Sequence, residues 1–244
     1  MAGTSVVAGE GAGRAGSGDP VAAVAAGVDW GSALPERSAG LRWRVGHAAK
    51  RTVDVVGSAV GIVVLSPVLV LIAAAVALDS PGPILYEWRV LGYRGRRFTG
   101  FKFRTMVPDA EDRKRDLLHL NEMDGPVFKI RDDPRVTGVG KFLRRYSLDE
   151  LPQLWSVLIG DMSLVGPRPP SPEEFLAFEP WQRLKLAVTP GITCLWQVSG
   201  RSEITSFSEW AELDLEYIRS WNLWLDLVIL LRTAFVVVRA RGAY

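Results

Sequence analysis

The chain has 244 residues, of which 48% are hydrophobic and 23% charged, with a mean hydropathy of +0.12. That is too apolar for a disordered protein and long enough for one sizeable domain. A single cysteine (Cys194) and two histidines exclude a disulfide framework, a zinc cage and a c-type haem site. The net charge is only +2, but it is unevenly spread. Residues 1–40 carry two basic and four acidic side chains, whereas residues 41–104 carry ten basic and three acidic ones. Positive charge therefore surrounds the one long apolar run, as anionic lipid headgroups favour. Nine tryptophans point the same way, because tryptophan favours membrane–water interfaces. A nucleic-acid partner is not expected.

Residues 1–40 are rich in Ala and Gly and hold almost no large apolar side chain beyond Trp30. Such a composition predicts a disordered tail. It lacks the basic start and apolar core of a signal peptide.

Residues 55–78 form the only long uncharged run, 24 residues, enough for a helix to cross a bilayer. Two features favour a re-entrant arrangement over a span. Ser66-Pro67 falls at the midpoint, where proline removes a helical hydrogen bond and predicts a bend. Each eleven-residue half is then roughly 16 Å long, about half of the hydrocarbon thickness. Both flanks are also basic: Arg42, Arg44, Lys50 and Arg51 before, Arg89, Arg94, Arg96, Arg97, Lys102 and Arg104 after. The positive-inside rule places both in the cytoplasm, which one span cannot satisfy.

Further along, Pro81-Gly82-Pro83 and residues 92–100 read as turns bracketing short strands at 84–88 and 97–103. Helices are expected at 108–121, at 139–146 and 148–159 joined near Ser147, at 175–188 and at 208–220. Residues 221–238 are apolar but interrupted by Asp226 and Arg232. That pattern suits a helix lying in the interface, with Trp221 and Trp224 at its start, or a C-terminal core helix.

Two segments carry candidate chemistry. Around Asp149-Glu150, Ser147 and Glu150 have the spacing of a capping box, and Asp149 could itself cap with Pro152 in the first turn. The same residues, with Arg144 and Arg145 beside them, also suit a phosphate-bearing substrate and a divalent metal, one carboxylate attacking and the other holding the ion. In the second segment, Arg168 lies between Pro167 and Pro169, on a stiff backbone from which a guanidinium grips phosphate bidentately. Lys102-Phe103-Arg104 sets two cations on one face of a short strand. Pro190-Gly191-Ile192-Thr193 and Gly200-Arg201-Ser202 read as turns.

In order and spacing these segments resemble the bacterial sugar transferase family, the monotopic polyprenol-phosphate phosphoglycosyl transferases. The resemblance rests on Lys50-Arg51 with Asp54, Ser66-Pro67, Pro81-Gly82-Pro83, Lys102 to Met106, Ser147 to Gln153 and Gly160 to Pro169. It continues through Pro190 to Thr193, Trp196 to Arg201 and the terminal Gly242-Ala243-Tyr244, so it covers residues 50–244. Two departures stand out: Cys194 where the family usually has glycine, and Glu87-Trp88-Arg89-Val90, which lacks the usual glutamine and shifts the arginine.

The resemblance implies an α+β, mostly helical fold, membrane-associated, with a re-entrant helix–break–helix, amphipathic interfacial helices and a few short strands. The expected parts are a tail (1–40), a basic lead-in with the membrane helix (41–80), and a cytoplasmic-face catalytic domain ending in an interfacial helix (81–244). The implied reaction moves a sugar-1-phosphate from a UDP-sugar to polyprenol (undecaprenol) phosphate, releasing UMP through a covalent aspartyl intermediate and starting a membrane-bound glycan or exopolysaccharide. Carried over, Asp149 is the nucleophile and Glu150 a Mg2+ ligand. Arg168 binds phosphate, and Lys102, Arg104 and Arg145 serve substrate charge. The implied location is the cytoplasmic face of the bacterial inner membrane, in contact with its lipids; a homodimer is left open. The rival expectation is a non-catalytic membrane scaffold for glycan assembly.

Overall fold

The computed structural model describes residues 18–200 and 204–239. Most of the expected tail that falls within this range is ordered, not disordered. Asp19 caps helix α1 (Pro20–Ala26) by accepting from the Val21 amide at 3.0 Å, and its carboxylate also meets Arg97 at 2.8 Å. Two 3-10 turns follow, Trp30–Ala33 and Glu36–Ala39. Val21 and Ala33 are each only 1% exposed, one in each of two separate apolar clusters. The segment builds no core of its own; it orders by adding a few side chains (Val21, Val24, Ala25 and Trp30 to one, Trp30, Ala33 and Leu34 to the other) to cores made by the rest of the chain, which composition alone does not reveal. Residues 1–17 of that expected tail lie outside the described residues, as do Arg201, Ser202 and Gly242-Ala243-Tyr244.

Helix α2 (Leu41–Asp79) has 39 residues and is, among the described residues, the one helix long and apolar enough to cross a membrane. It continues through Pro67 as one hydrogen-bonded helix, so the expected helix–break–helix is not two separate helices. The reason is local. Pro67 has no amide to give the carbonyl of Val63, and the hydroxyl of Ser66 donates to that oxygen instead, at 2.8 Å. Val60, Val63, Val64, Val70 and Leu71 are exposed, while Asp54, Ser58, Ile72 and Val76 are buried.

Both ends of α2 are fastened to the same body. At the first, Lys50 meets Asp226 at 2.7 Å and the Val165 carbonyl at 2.8 Å. Arg51 donates to the carbonyls of Val157 and Leu158, in the last turn of the helix later in the chain where a cation is favoured. Asp54 accepts from Ser163 and from the Leu164 amide. At the far end, Arg104 donates to the carbonyls of Val76, Ser80 and Pro83. Gly57 allows the first part of α2 to approach the segment around Leu164 closely, because a Cβ there would stand 2.9 Å from Leu164.

Strands β1 (Leu85–Leu91) and β2 (Arg97–Phe103) pair antiparallel, with Trp88 opposite Gly100 and Tyr86 opposite Lys102. β2 has the expected bounds, whereas β1 runs three residues beyond its expected end. The expected helix at 108–121 is a short α3 (Ala110–Arg113) and a 3-10 segment, Arg115–Leu120. Helix α4 (Gly138–Arg145) leads into a 3-10 segment, Leu148–Gln153, and then α5 (Leu154–Ile159).

Strand β3 (Ser163–Val165) is followed by α6 (Pro172–Ala177) and α7 (Pro180–Arg183), with a 3-10 turn at Leu184–Ala187. One helix was expected over 175–188. Phe178 and Glu179 are extended there, because the residue before Pro180 is pushed out of the helical region.

Pro190-Gly191-Ile192-Thr193 is not only a turn: β4 (Gly191–Thr193) lies parallel to β3. Gly191 permits this, since a Cβ there would sit 2.1 Å from the Gly166 nitrogen. Then come α8 (Leu195–Val198), α9 (Phe207–Ser220) and α10 (Leu223–Val238). On α10, Trp224, Leu227, Leu231 and Phe235 are exposed at helical spacing, while Ile229 is 1% exposed on the inner side. Trp221 does not join this outer stripe; it is buried against Trp43 and His47.

Candidate active site

The carboxylates Asp149 and Glu150 lie in the 3-10 segment Leu148–Gln153, which starts where Ser147 adopts a left-handed φ of 51°. That conformation ends α4 and redirects the chain. It also removes the expected capping box: the Ser147 side chain makes no capping bond, and Asp149 is inside the segment and not at its cap. The Glu150 carboxylate turns instead to Lys102 on β2, at 2.8 Å, with both side chains mostly buried. Asp149 and Glu150 are each half-buried.

Lys102 has a second neighbour. Its ammonium stands 4.1 Å from the ring centre of Trp88, the indole lying over Gly100 on the paired strand. Arg168 approaches the same indole at 5.4 Å and the ring of Trp210 at 5.6 Å. Among the described residues no carboxylate is within ion-pair distance of Arg168 and no acceptor takes its hydrogen bonds. A half-buried guanidinium held by two aromatic rings, with its donors uncommitted, is chemically suited to accept an anion. Beneath Trp210, Lys185 and Asp214 form a buried ion pair at 2.6 Å, and Arg168 adds to the positive field on Asp214. Burial nevertheless pushes the Asp214 carboxyl above its usual range.

The structure therefore brings Lys102 and Arg168 to Trp88, and Lys102 to Glu150, the neighbour of Asp149. It does not bring Arg104 or Arg145 to them. Arg104 is spent on the end of α2, its guanidinium 9% exposed at most and bonded to three backbone carbonyls. Strand alternation explains its neighbour's different fate only in part: Lys102 and Arg104 share a face, but Arg104 lies past the end of β2, where the helix terminus is the nearer acceptor. Arg145 is exposed. The arginine that faces the carboxylates is Arg144, whose Nε bonds Thr105 at 3.0 Å and whose charge is supported by both Asp149 and Glu150. Burial is the main influence on Arg144 and lowers its pKa. The signal was available: Arg144 follows buried Leu143 by one position and shares the Gly140 face of α4, the face against which Thr105 packs. Trp88 was visible only as a departure from the family pattern, while Cys194, the other departure, is buried in an apolar cluster.

Among the described residues no group of three or more His, Cys, Asp or Glu side chains forms a protein-only metal cage. Two adjacent carboxylates do fit Mg2+, which is commonly held by one or two carboxylates together with substrate phosphates and water.

Two cavities border the fold. One of about 180 Å3 opens beside Glu150 and Ser147 and is otherwise lined mainly by apolar groups, among them Leu151, Ile192, Val198 and Val236. The other, about 290 Å3, lies at the foot of α2 around Trp43, His47, Lys50 and Trp221 and holds none of the expected site residues.

Residues 45–240 match the family described as bacterial sugar transferase. The chain is 45% identical to the galactosyl transferase CpsE of Streptococcus agalactiae over 80% of its own length and 43% of that protein. It is 40% identical to the undecaprenyl-phosphate galactose phosphotransferase of Salmonella typhimurium, over 84% of this chain and 43% of the relative. It thus spans less than half of those two proteins. Against the exopolysaccharide production protein ExoY of Rhizobium meliloti, at 37% identity, the match covers 86% of this chain and 94% of the relative. The gathered acidic and basic groups and these matches agree: the chain belongs to the bacterial sugar transferase family.

Proposed function

We propose that the protein transfers a sugar-1-phosphate from a UDP-sugar to polyprenol phosphate, releasing UMP, by two successive displacements at Asp149. The observation that carries this reading is the uncommitted guanidinium of Arg168 grouped, through Trp88, with Lys102 and the Asp149-Glu150 pair. A carboxylate is repelled by a diphosphate, so the attack requires screening of the donor's charge, which Arg168 and Lys102, both beside the Trp88 indole, would supply. Mg2+ bound at Glu150 and the donor's phosphates would add further screening there. Asp149 then displaces UMP and carries the sugar-bearing phosphate as an acyl phosphate, and the phosphate of the lipid displaces Asp149 in turn. Two displacements allow a soluble donor and a membrane acceptor to use one site alternately. The apolar cavity next to Glu150 suits the first part of the acceptor's hydrocarbon chain.

The reading places the protein on the cytoplasmic face of the inner membrane, with α2 entering and leaving by one leaflet. It is supported by the attachment of both ends of α2 to one body and by basic flanks on both sides.

Intact-mass measurement of protein incubated with UDP-galactose and Mg2+, without lipid acceptor, should show one sugar-phosphate adduct. Asp149→Asn should show none and lose turnover by orders of magnitude. Unmodified wild-type protein that still turns over when both substrates are present would remove the covalent intermediate.

A further inference from the structure

Trp88 is, among the described residues, the one ring within cation–π distance of both Lys102 and Arg168. Its position follows from the hairpin. The cross-strand partner of Trp88 is Gly100, and the indole lies where a side chain from that position would stand, 3.7 Å from an ideal Cβ. Lys102, two residues on along β2, rises on the same face and meets the ring.

Two cations on one small site repel each other, and each is flexible enough to swing into water. The negative face of an indole attracts both, and so lowers the cost of holding them close before any anion arrives. Lys102 gains something more specific. Its ammonium is shared between Glu150 and the ring; when Glu150 turns to another partner, the ring still keeps the ammonium in place.

We propose that Trp88 is a positioning residue that sets Lys102 and Arg168 in the spacing that grips the donor's diphosphate. This rests on the function proposed above, which supplies the diphosphate. Trp88 touches no reacting atom; it acts through the two cations. Its effect therefore falls on donor binding and leaves the acceptor alone.

The test uses the full chain in detergent, with UDP as the binding probe and UDP-galactose plus undecaprenol phosphate for turnover. Trp88→Leu should weaken UDP binding and raise the donor KM roughly tenfold, with the acceptor KM unchanged and the melting temperature close to wild type. Trp88→Phe keeps an aromatic face and should recover most of the loss. Because Trp88 works through Arg168, Trp88→Leu combined with Arg168→Lys should cost clearly less than the product of the two separate effects. Turnover with wild-type UDP affinity in Trp88→Leu, equal impairment of the Leu and Phe variants, or strictly multiplicative losses would each overturn the proposal while leaving the reaction itself intact. Protein that binds UDP with the expected Trp88 dependence but transfers nothing would uphold the positioning role and remove the proposed function instead.

Discussion

The hydroxyl of Ser66 donates to the carbonyl of Val63, the oxygen that Pro67, four residues on, leaves without an amide. The dipeptide thus repairs the defect it creates, which is why α2 continues through a proline.

A double-mutant cycle tests this repair. Ser66→Ala should lower stability by about 1 kcal/mol, the value of one backbone carbonyl's hydrogen bond. In a Pro67→Leu background the amide is restored, and Ser66→Ala should then cost almost nothing. Equal losses in both backgrounds, read from melting in detergent, would separate Ser66 from Pro67.

Attachment of both ends of α2 to one body predicts common sidedness. Cysteines introduced as Arg44→Cys and Arg94→Cys should react with a membrane-impermeant maleimide only from the cytoplasmic side. The native Cys194 is buried, so background labelling is small. Labelling of the two positions from opposite sides would show that α2 spans.

Arg104 and Lys102 should fail differently. Arg104→Met removes the cation from three carbonyls at the end of α2 and should cost roughly 2–3 kcal/mol, with faster hydrogen exchange around residues 72–80. Lys102→Met should leave melting nearly unchanged and weaken donor binding. The reverse pattern would return Arg104 to the substrate.

Burial pushes the Asp54 carboxyl above its ordinary value of 3.8, with Lys50 pulling the other way. A raised native pKa means that the folded protein holds this proton more tightly than the unfolded chain. Between 3.8 and the raised value, stability should therefore fall as pH rises, and level off above it. Asp54→Asn keeps an oxygen for Ser163 and the Leu164 amide but has no charge to desolvate. Its melting temperature relative to wild type should climb across that window; a flat difference would show that Asp54 titrates alike in both states.

Charge, spacing and turn residues made the bounds of β2 and the helices around Ser147 legible; the grouping of Lys102 and Arg168 with Asp149-Glu150 was expected only from the family resemblance. What was not legible is direction. Lys102 and Arg104 look equivalent on a strand, yet one reaches Glu150 and the other a helix end, since only the packed chain reveals which acceptor is nearer. Arg144 and Arg145 differ by about 100° around α4, and only the packed chain shows that Arg144 is the one turned toward Asp149 and Glu150. The capping box at Ser147 failed because the left-handed turn there aims the serine away from its partner amide, a geometry that short motifs do not encode. Pro190 to Thr193 carried the marks of a turn, but its glycine serves close contact between strands.

The ordered segment before α2 separates two boundaries that are usually drawn together. The stretch matched by the family starts at residue 45, whereas the folded unit starts no later than Asp19, which clasps Arg97, and Val21, which is packed with Leu91 and Phe175. A chain trimmed to the matched stretch would begin with two empty sockets, those of Val21 and Ala33, one in each apolar cluster. The family match and the folded unit thus begin at different residues, and the segment ahead of that match holds the tip of the hairpin that carries Trp88 and Lys102.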